Sequence, residues 1–228
     1  PLCGAWLGDA VRLLDLFCGA GGAAMGYHRA GFDEIVGVDI NPQPRYPFTF
    51  VQADAMTYPL EGFDAIHASP PCQAYSRLRT LPWLRDKKYW DSVPPVRERL
   101  QTSGAPWVIE NVEGAPVEGM VLCGTMFGLA WPDGTPLYRH RLFETSGLFM
   151  FSPGHPKHSR TLVPGRLLKG RARLNNGYVI GGHQNGLRAM GAMGIDWMTG
   201  NELSQAIPPA MTEYIGRALM ATLEKVPA

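Results

Sequence analysis

The stretch VRLLDLFCGAGGAA, residues 11 to 24, starts as a short apolar run and breaks into glycines. An apolar run of this length ending in a turn signal reads as a buried strand. Gly19, Gly21 and Gly22 then let the backbone turn tightly and approach a ligand closely. AAMGYHRAGF follows with helical patterning, so the unit is strand, glycine loop, helix. Working outward, EIVGVDI (Glu34–Ile40), FTFVQAD (ending at Asp54), FDAIHAS (Phe63–Ser69), PWVIENV (Pro106–Val112) and HRLFETS read as further strands. Helical stretches intervene, one around Pro95–Thr102, and a last helix is expected to start near Pro209. This alternation predicts an α/β, Rossmann-like architecture, a mainly parallel sheet with helices on both faces.

The bulk numbers fit one such domain. The chain has 228 residues, of which 45% are hydrophobic and only 18% charged, with 27 glycines and 20 prolines supplying turns. No run of about 18 apolar residues is present, so no membrane span is expected. The N-terminal residues show no leader pattern, and a reducing cytoplasm is the expected location. Cys3, Cys18, Cys72 and Cys123 are scattered without a C-x-x-C pair, so neither a disulfide scaffold nor a metal site is expected. The net charge of +1 conceals a segment between Glu144 and Asp196 with no acidic residue, holding Lys157, Arg160, Arg166, Lys169, Arg171, Arg173 and Arg188. That segment reads either as a solvated basic face or as a polyanion-binding surface. Residues 147–182 are taken as a small lobe, and residues 1–146 and 183–228 as the main domain.

The polar anomalies of the first half all fall at strand ends, where parallel sheets gather ligands. Gly19-x-Gly21-x-x-Ala24 fits a dinucleotide-type loop, and Asp39 at the end of the next strand is placed to take a ribose. NAD and S-adenosylmethionine share an adenosine, so these residues alone do not separate them. Pro70-Pro71-Cys72-Gln73 holds a thiol rigidly at a strand end, a setting that suits a nucleophile better than an inert core cysteine. Glu110, followed by Asn111, ends a buried strand, where a carboxylate is costly without a partner. Arg139 and Arg141, two apart on a strand, would point to one side and suit a carboxylate or phosphate.

In this order, DLFCGAGG, VGVD, QAD, SPPCQAYS, IENV, RHR and IPPA resemble the DNA cytosine-5 methyltransferases, from about Leu13 to Ile215. The resemblance implies an S-adenosylmethionine-dependent methyltransferase fold in which Phe17, Gly19 and Gly21 cradle the cofactor and Asp39 takes its ribose. It further implies that Ile40 packs on adenine, Asp54 accepts from the adenine amine, and Pro71 and Gln205 lie near the cofactor. Cys72 would attack carbon 6 of a flipped-out cytosine, Glu110 would hydrogen-bond its N3 and amine, Arg139 and Arg141 would orient Glu110 and the base, and Asn111 would position the Cys72 loop. Residues Ala74 to about Leu100 would form a loop closing over the base. Gln73, Ser76, Arg77, Lys169, Arg171 and Arg173 would meet nucleic acid.

Two positions depart from the family pattern. Leu137 stands where a glutamine is usual, and Ser204-Gln205 where Gly-Asn is usual. The lobe is also short, which leaves room for a partner protein supplying target recognition to an otherwise monomeric enzyme. DNA is the expected substrate. The same chemistry on RNA, a non-catalytic S-adenosylmethionine-binding subunit and an NAD oxidoreductase are the competing readings.

Overall fold

The computed structural model describes residues 10–76, 79, 81–84, 86–132, 134, 136–148, 150–157 and 189–223, and the backbone alone of 173–174, 177–178 and 186–188. Five strands lie parallel: β1 (Arg12–Leu16), β2 (Glu34–Asp39), β3 (Thr49–Gln52), β4 (Ala65–Ala68) and β5 (Trp107–Asn111). With β6 (Met120–Cys123) and β7 (His140–Thr145) they form one sheet in the order β3-β2-β1-β4-β5-β7-β6, in which β7 runs antiparallel to both neighbours. The strand over Met120–Cys123 was not expected from sequence. It is only four residues long, half-exposed at its start, and closed by a tight turn at Gly124–Phe127. A further antiparallel pair, β8 (Arg173–Leu174) with β9 (Gly177–Tyr178), falls in the expected lobe.

Apolar side chains on the two sheet faces go to two layers. Leu13, Ala65, Val108 and Phe143 pack with Tyr27 of α1 (Gly22–Ala30) and with Met211, Ile215 and Leu219 of α5 (Pro209–Leu223). Leu14, Leu16, Ile66 and Ile109 pack with Val93, Val96 and Leu100 of α2 (Val93–Gln101) on the other. A third cluster joins Leu137 to α3 (Gly186–Met193) and α4 (Gly200–Gln205). Helices therefore cover both faces, as the strand alternation predicts. Among the described residues no helix is long and apolar enough to cross a membrane.

Chain direction reverses between β1 and β4: β1 leads outward to β2 and β3, and the chain then returns to the other flank of β1. Such a switch point opens a crevice at the carboxyl ends of the strands. The glycine loop follows β1, and the Pro70–Cys72 segment follows β4. Both are thereby delivered to the same crevice by topology alone.

One buried polar pair affects stability. Asp15 on β1 is fully buried, and its Oδ2 accepts from Tyr46 Oη at 3.1 Å. Its register partner is Gly37, where a Cβ would lie 2.2 Å from the Tyr46 ring, so only glycine lets the tyrosine reach. Burial pushes the Asp15 carboxyl from 3.8 up to about 8, despite the Tyr46 bond and with the Asp39 charge adding to the rise. Burial also lowers His67 from 6.5 to about 3. Between pH 3.8 and 6.5 the two effects oppose: the fold holds a proton on Asp15 that the unfolded chain releases, and refuses one on His67 that the unfolded chain holds. Above 6.5 only Asp15 remains of this pair, and its contribution is lost as pH rises to about 8. Stability measured by denaturant titration at pH 6.5 and 8 is expected to fall by about 2 kcal/mol more in the native chain than in Asp15→Asn. Equal pH dependence in the two would show that Asp15 ionises normally.

Candidate active site

Phe17 carries a φ of 57°, the single non-glycine residue with positive φ among the described residues. A bulky side chain in that region is strained, and such strain is held in place only by surrounding structure. Gly19 and Gly21 follow with φ of 49° and 83°, and a Cβ on Gly19 would meet nothing within 4 Å, so this side of the loop is open. Asp39 fastens the loop: its Oδ2 accepts from Gly19 N at 3.1 Å and its Oδ1 from Asn41 N at 2.9 Å. Ile40, beside it, is 66% exposed, an unusual state for isoleucine and suited to a flat apolar ligand. Asp54 is exposed at the next strand end, with Oδ1 accepting from Met56 N at 2.8 Å. A glycine turn, two carboxylates with remaining lone pairs and one exposed aliphatic side chain fit an adenosyl group along this edge.

The Cys72 loop is braced from three sides. Asn111 Nδ2 donates to Pro70 O at 2.9 Å, and Ser92 Oγ donates to Pro71 O at 2.8 Å. Tyr75 Oη donates to Asp91 Oδ1 at 2.5 Å and accepts from Val93 N at 2.9 Å. The Cys72 carbonyl accepts from Tyr75 N and Ser76 N, at 3.0 and 2.9 Å, closing a tight turn. The half-buried thiol is thus held on a fixed loop.

Opposite stands a charged pair. Glu110 is 6% exposed on β5, and Arg141 Nε lies 2.8 Å from its Oε1. Burial raises the Glu110 carboxyl, while Arg141, Arg139 and a hydrogen bond from Ser69 pull it down. The result is a carboxyl above its ordinary range. Burial likewise raises the Cys72 thiol; Arg141 and Arg139 lower it and Glu110 raises it. The same three charges therefore act on thiol and carboxyl together. Because the thiol lies above its ordinary 9.0, little thiolate is present at neutral pH. Iodoacetamide alkylation of Cys72, followed by peptide mass spectrometry, is expected to be slow at pH 7 and still rising above pH 9. A plateau below pH 8 would mean that the arginines outweigh burial.

Behind Glu110 runs a buried hydrogen-bonded chain. Ser69 bonds Glu110, Ser69 Oγ lies 2.8 Å from His67 Nε2, and His67 Nδ1 lies 2.9 Å from Tyr27 Oη. With His67 neutral, Tyr27 O–H donates to Nδ1, Nε2–H donates to Ser69 Oγ, and Ser69 O–H donates to the carboxylate. Sequence reasoning did not single out His67, Ser69 or Tyr27. The alternation on β4 that sends residues 65, 67 and 69 to one face was the available signal.

Other expected positions fall differently. Arg139 is buried, and its Nη2 donates to Ser204 O at 3.0 Å and Ala206 O at 2.5 Å, so it ties β7 to the α4–α5 junction rather than serving only the base. Gln205, between those two carbonyls, is exposed. Leu137 is fully buried among apolar neighbours, which explains why an apolar residue is accepted there. Gln73 is exposed and Ser76 half-buried on the Cys72 loop. The expected closing loop is shorter than its stated end at Leu100, because Val93, Val96 and Leu100 are buried in α2. Arg77, Lys169 and Arg171 lie outside the described residues, and Arg173 is described only as backbone in β8. Cys123, His140 and His155, which cysteine spacing did not bring together, gather from three segments.

A glycine loop, a braced cysteine and a buried Glu–Arg pair thus gather at the carboxyl ends of neighbouring strands on a Rossmann-like sheet. Residues 11–113 match the family model for C-5 cytosine-specific DNA methylase. Over that stretch, which is under half of the 228-residue chain, the sequence is similar to the C-5 cytosine-specific DNA methylases. No curated protein matches it. Among solved structures it is similar to an E. coli prophage-encoded protein described as a DNA modification methyltransferase, at 17% identity and TM-score 0.58, covering 95% of this chain and 100% of that one. It is also similar to the S. pombe Dnmt2 methyltransferase (14% identity, TM-score 0.55, covering 93% and 99%) and to the Entamoeba histolytica methyltransferase EhMeth (11%, TM-score 0.55, covering 95% and 99%). At these identities the likeness concerns the fold alone.

Proposed function

We propose that the chain methylates carbon 5 of cytosine in DNA, using S-adenosylmethionine. The observation that carries this reading is Cys72, on a braced loop after β4, sharing its electrostatic surroundings with the buried Glu110–Arg141 pair. S-adenosylmethionine supplies an electrophilic methyl group; Phe17, Gly19, Gly21, Asp39, Ile40 and Asp54 are the residues that would hold it. Carbon 5 of cytosine is a poor nucleophile until a second nucleophile adds to carbon 6. Cys72 forms that sulfur–carbon bond, and the displaced electron pair passes through carbon 5 toward N3. Burial raises the Glu110 carboxyl, which favours its taking up a proton and passing it to N3 as negative charge develops there. Arg141 holds Glu110 in one orientation. After carbon 5 is substituted, loss of its proton expels the Cys72 sulfur and restores the aromatic ring. The target atom is enclosed in a duplex, so the base must leave the stack. Exposed Lys87 and Lys88, on the segment after the Cys72 loop, are placed for phosphates.

The test is methyl transfer from labelled S-adenosylmethionine to unmethylated duplex DNA and, in parallel, to a tRNA pool, with nucleoside mass spectrometry. 5-Methylcytosine in DNA is the expected product. Label in RNA alone would move the same chemistry to RNA, and cofactor binding without transfer to either would favour a non-catalytic subunit.

A further inference from the structure

Cys123, His140 and His155 bring one sulfur and two imidazole nitrogens within 4.8 Å of one another, on the face of the sheet edge away from Arg141. Three segments build the cluster. Cys123 on β6 is the register partner of His140 on β7, so both side chains leave the same face of the antiparallel pair. Arg139 and Arg141 alternate with His140 and leave by the opposite face. His155 arrives from the segment after β7. That segment is anchored by Leu148 and Met150 against the core and by Tyr214 Oη donating to Phe151 O. The rings of His140 and His155 face one another at 5.2 Å with 27° between planes, and their Nε2 atoms lie 3.1 Å apart. Two nitrogens bound to one tetrahedral zinc at about 2.0–2.1 Å stand roughly 3.3 Å apart, so this spacing needs little adjustment. Thr125 Oγ1 donates to Cys123 Sγ at 3.2 Å, the kind of outer contact that steadies a thiolate ligand.

We propose that these three residues bind a zinc-class cation that fastens the start of the basic lobe to the sheet edge behind Arg141. The donor set decides the ion: thiolate and imidazole suit Zn²⁺, while Mg²⁺ and Ca²⁺ need oxygen ligands. Three protein ligands leave a fourth position for water or another donor. Cys123 and His140 are set by strand pairing before any ion arrives, and His155 closes the site from the lobe side. The proposal does not depend on the methyl-transfer reading, because none of the three residues serves that chemistry.

The test uses the full chain, stripped of metal by chelator and titrated with Co²⁺ as a spectroscopic stand-in for Zn²⁺. Saturation near one equivalent, with thiolate-to-cobalt charge-transfer absorption and the visible bands of a tetrahedral ion, is expected. Cys123→Ser should remove the charge-transfer band. His155→Ala, at an exposed position that does not threaten folding, should weaken binding by at least the roughly 10–100-fold that loss of an outer-sphere partner costs. Zinc should also slow tryptic cleavage after Lys157 in the native chain and not in His155→Ala. Failure to bind cobalt, binding unchanged in both variants, or cleavage indifferent to zinc would each overturn the proposal.

Discussion

Cys72→Ala is expected to reduce methyl transfer by at least about 10⁴-fold while cofactor affinity stays nearly unchanged. The expectation rests on where the sulfur sits. The loop's shape comes from Asn111 on the Pro70 carbonyl, Ser92 on the Pro71 carbonyl and the backbone turn that closes on the Cys72 carbonyl, none of which uses the thiol. The proposed cofactor edge, from Phe17 to Asp54, is built by β1, β2 and β3 and their loops, with Asp39 holding Gly19 in place. Removing one sulfur atom therefore takes away the proposed nucleophile and leaves the scaffold. Initial rates on saturating substrate, with calorimetric titration of S-adenosylmethionine, separate the two effects. Substantial residual turnover would mean that another group attacks carbon 6, or that no covalent step occurs.

Glu110→Gln is the second large effect, an expected loss of about 10²–10⁴-fold in kcat, the range for a positioned acid or base. The amide keeps the shape and can still accept from Arg141, but it has no proton to release to N3. Stability is expected to drop as well, by about 1–3 kcal/mol, because Arg141 loses a charged partner in a largely buried site. Denaturant titration beside the rate measurement keeps the effects apart: a folded variant with low kcat supports the chemical role. A kcat that recovers fully once the variant is stabilised by cofactor would make Glu110 structural only.

How far the sequence reveals this arrangement depends on the range of each interaction. The ends of β1, β2, β4 and β5 were legible because buried strands are short apolar runs punctuated by glycine, proline or acid, a signal carried within seven residues. The start of α5 at Pro209 was legible for the same local reason. Cys72, Glu110 and Asp39 stood out because each is a reactive or charged residue at a strand end. What could not be read is pairing across long separations. His67 meets Tyr27 across 40 residues, and Arg139 reaches the Ser204 and Ala206 carbonyls across 65 and 67. A spacing of two predicted that Arg139 and Arg141 share a face, but not that one holds Glu110 while the other holds the α4–α5 junction. The Cys123–His140–His155 cluster was hidden because metal motifs are recognised by short spacings, and here strand register supplies the proximity instead.

The central claim, that Cys72 forms a bond to carbon 6 of cytosine, is tested most directly by trapping. A DNA duplex in which cytosines carry fluorine at carbon 5 can accept the sulfur and the methyl group but has no proton to lose, so the thiol is not expelled. Incubated with S-adenosylmethionine, the protein is expected to form a denaturation-resistant adduct, with mass spectrometry placing the nucleotide on the peptide that contains Cys72. No adduct with a DNA substrate that is methylated in its unfluorinated form, or an adduct that survives Cys72→Ala, would contradict the claim.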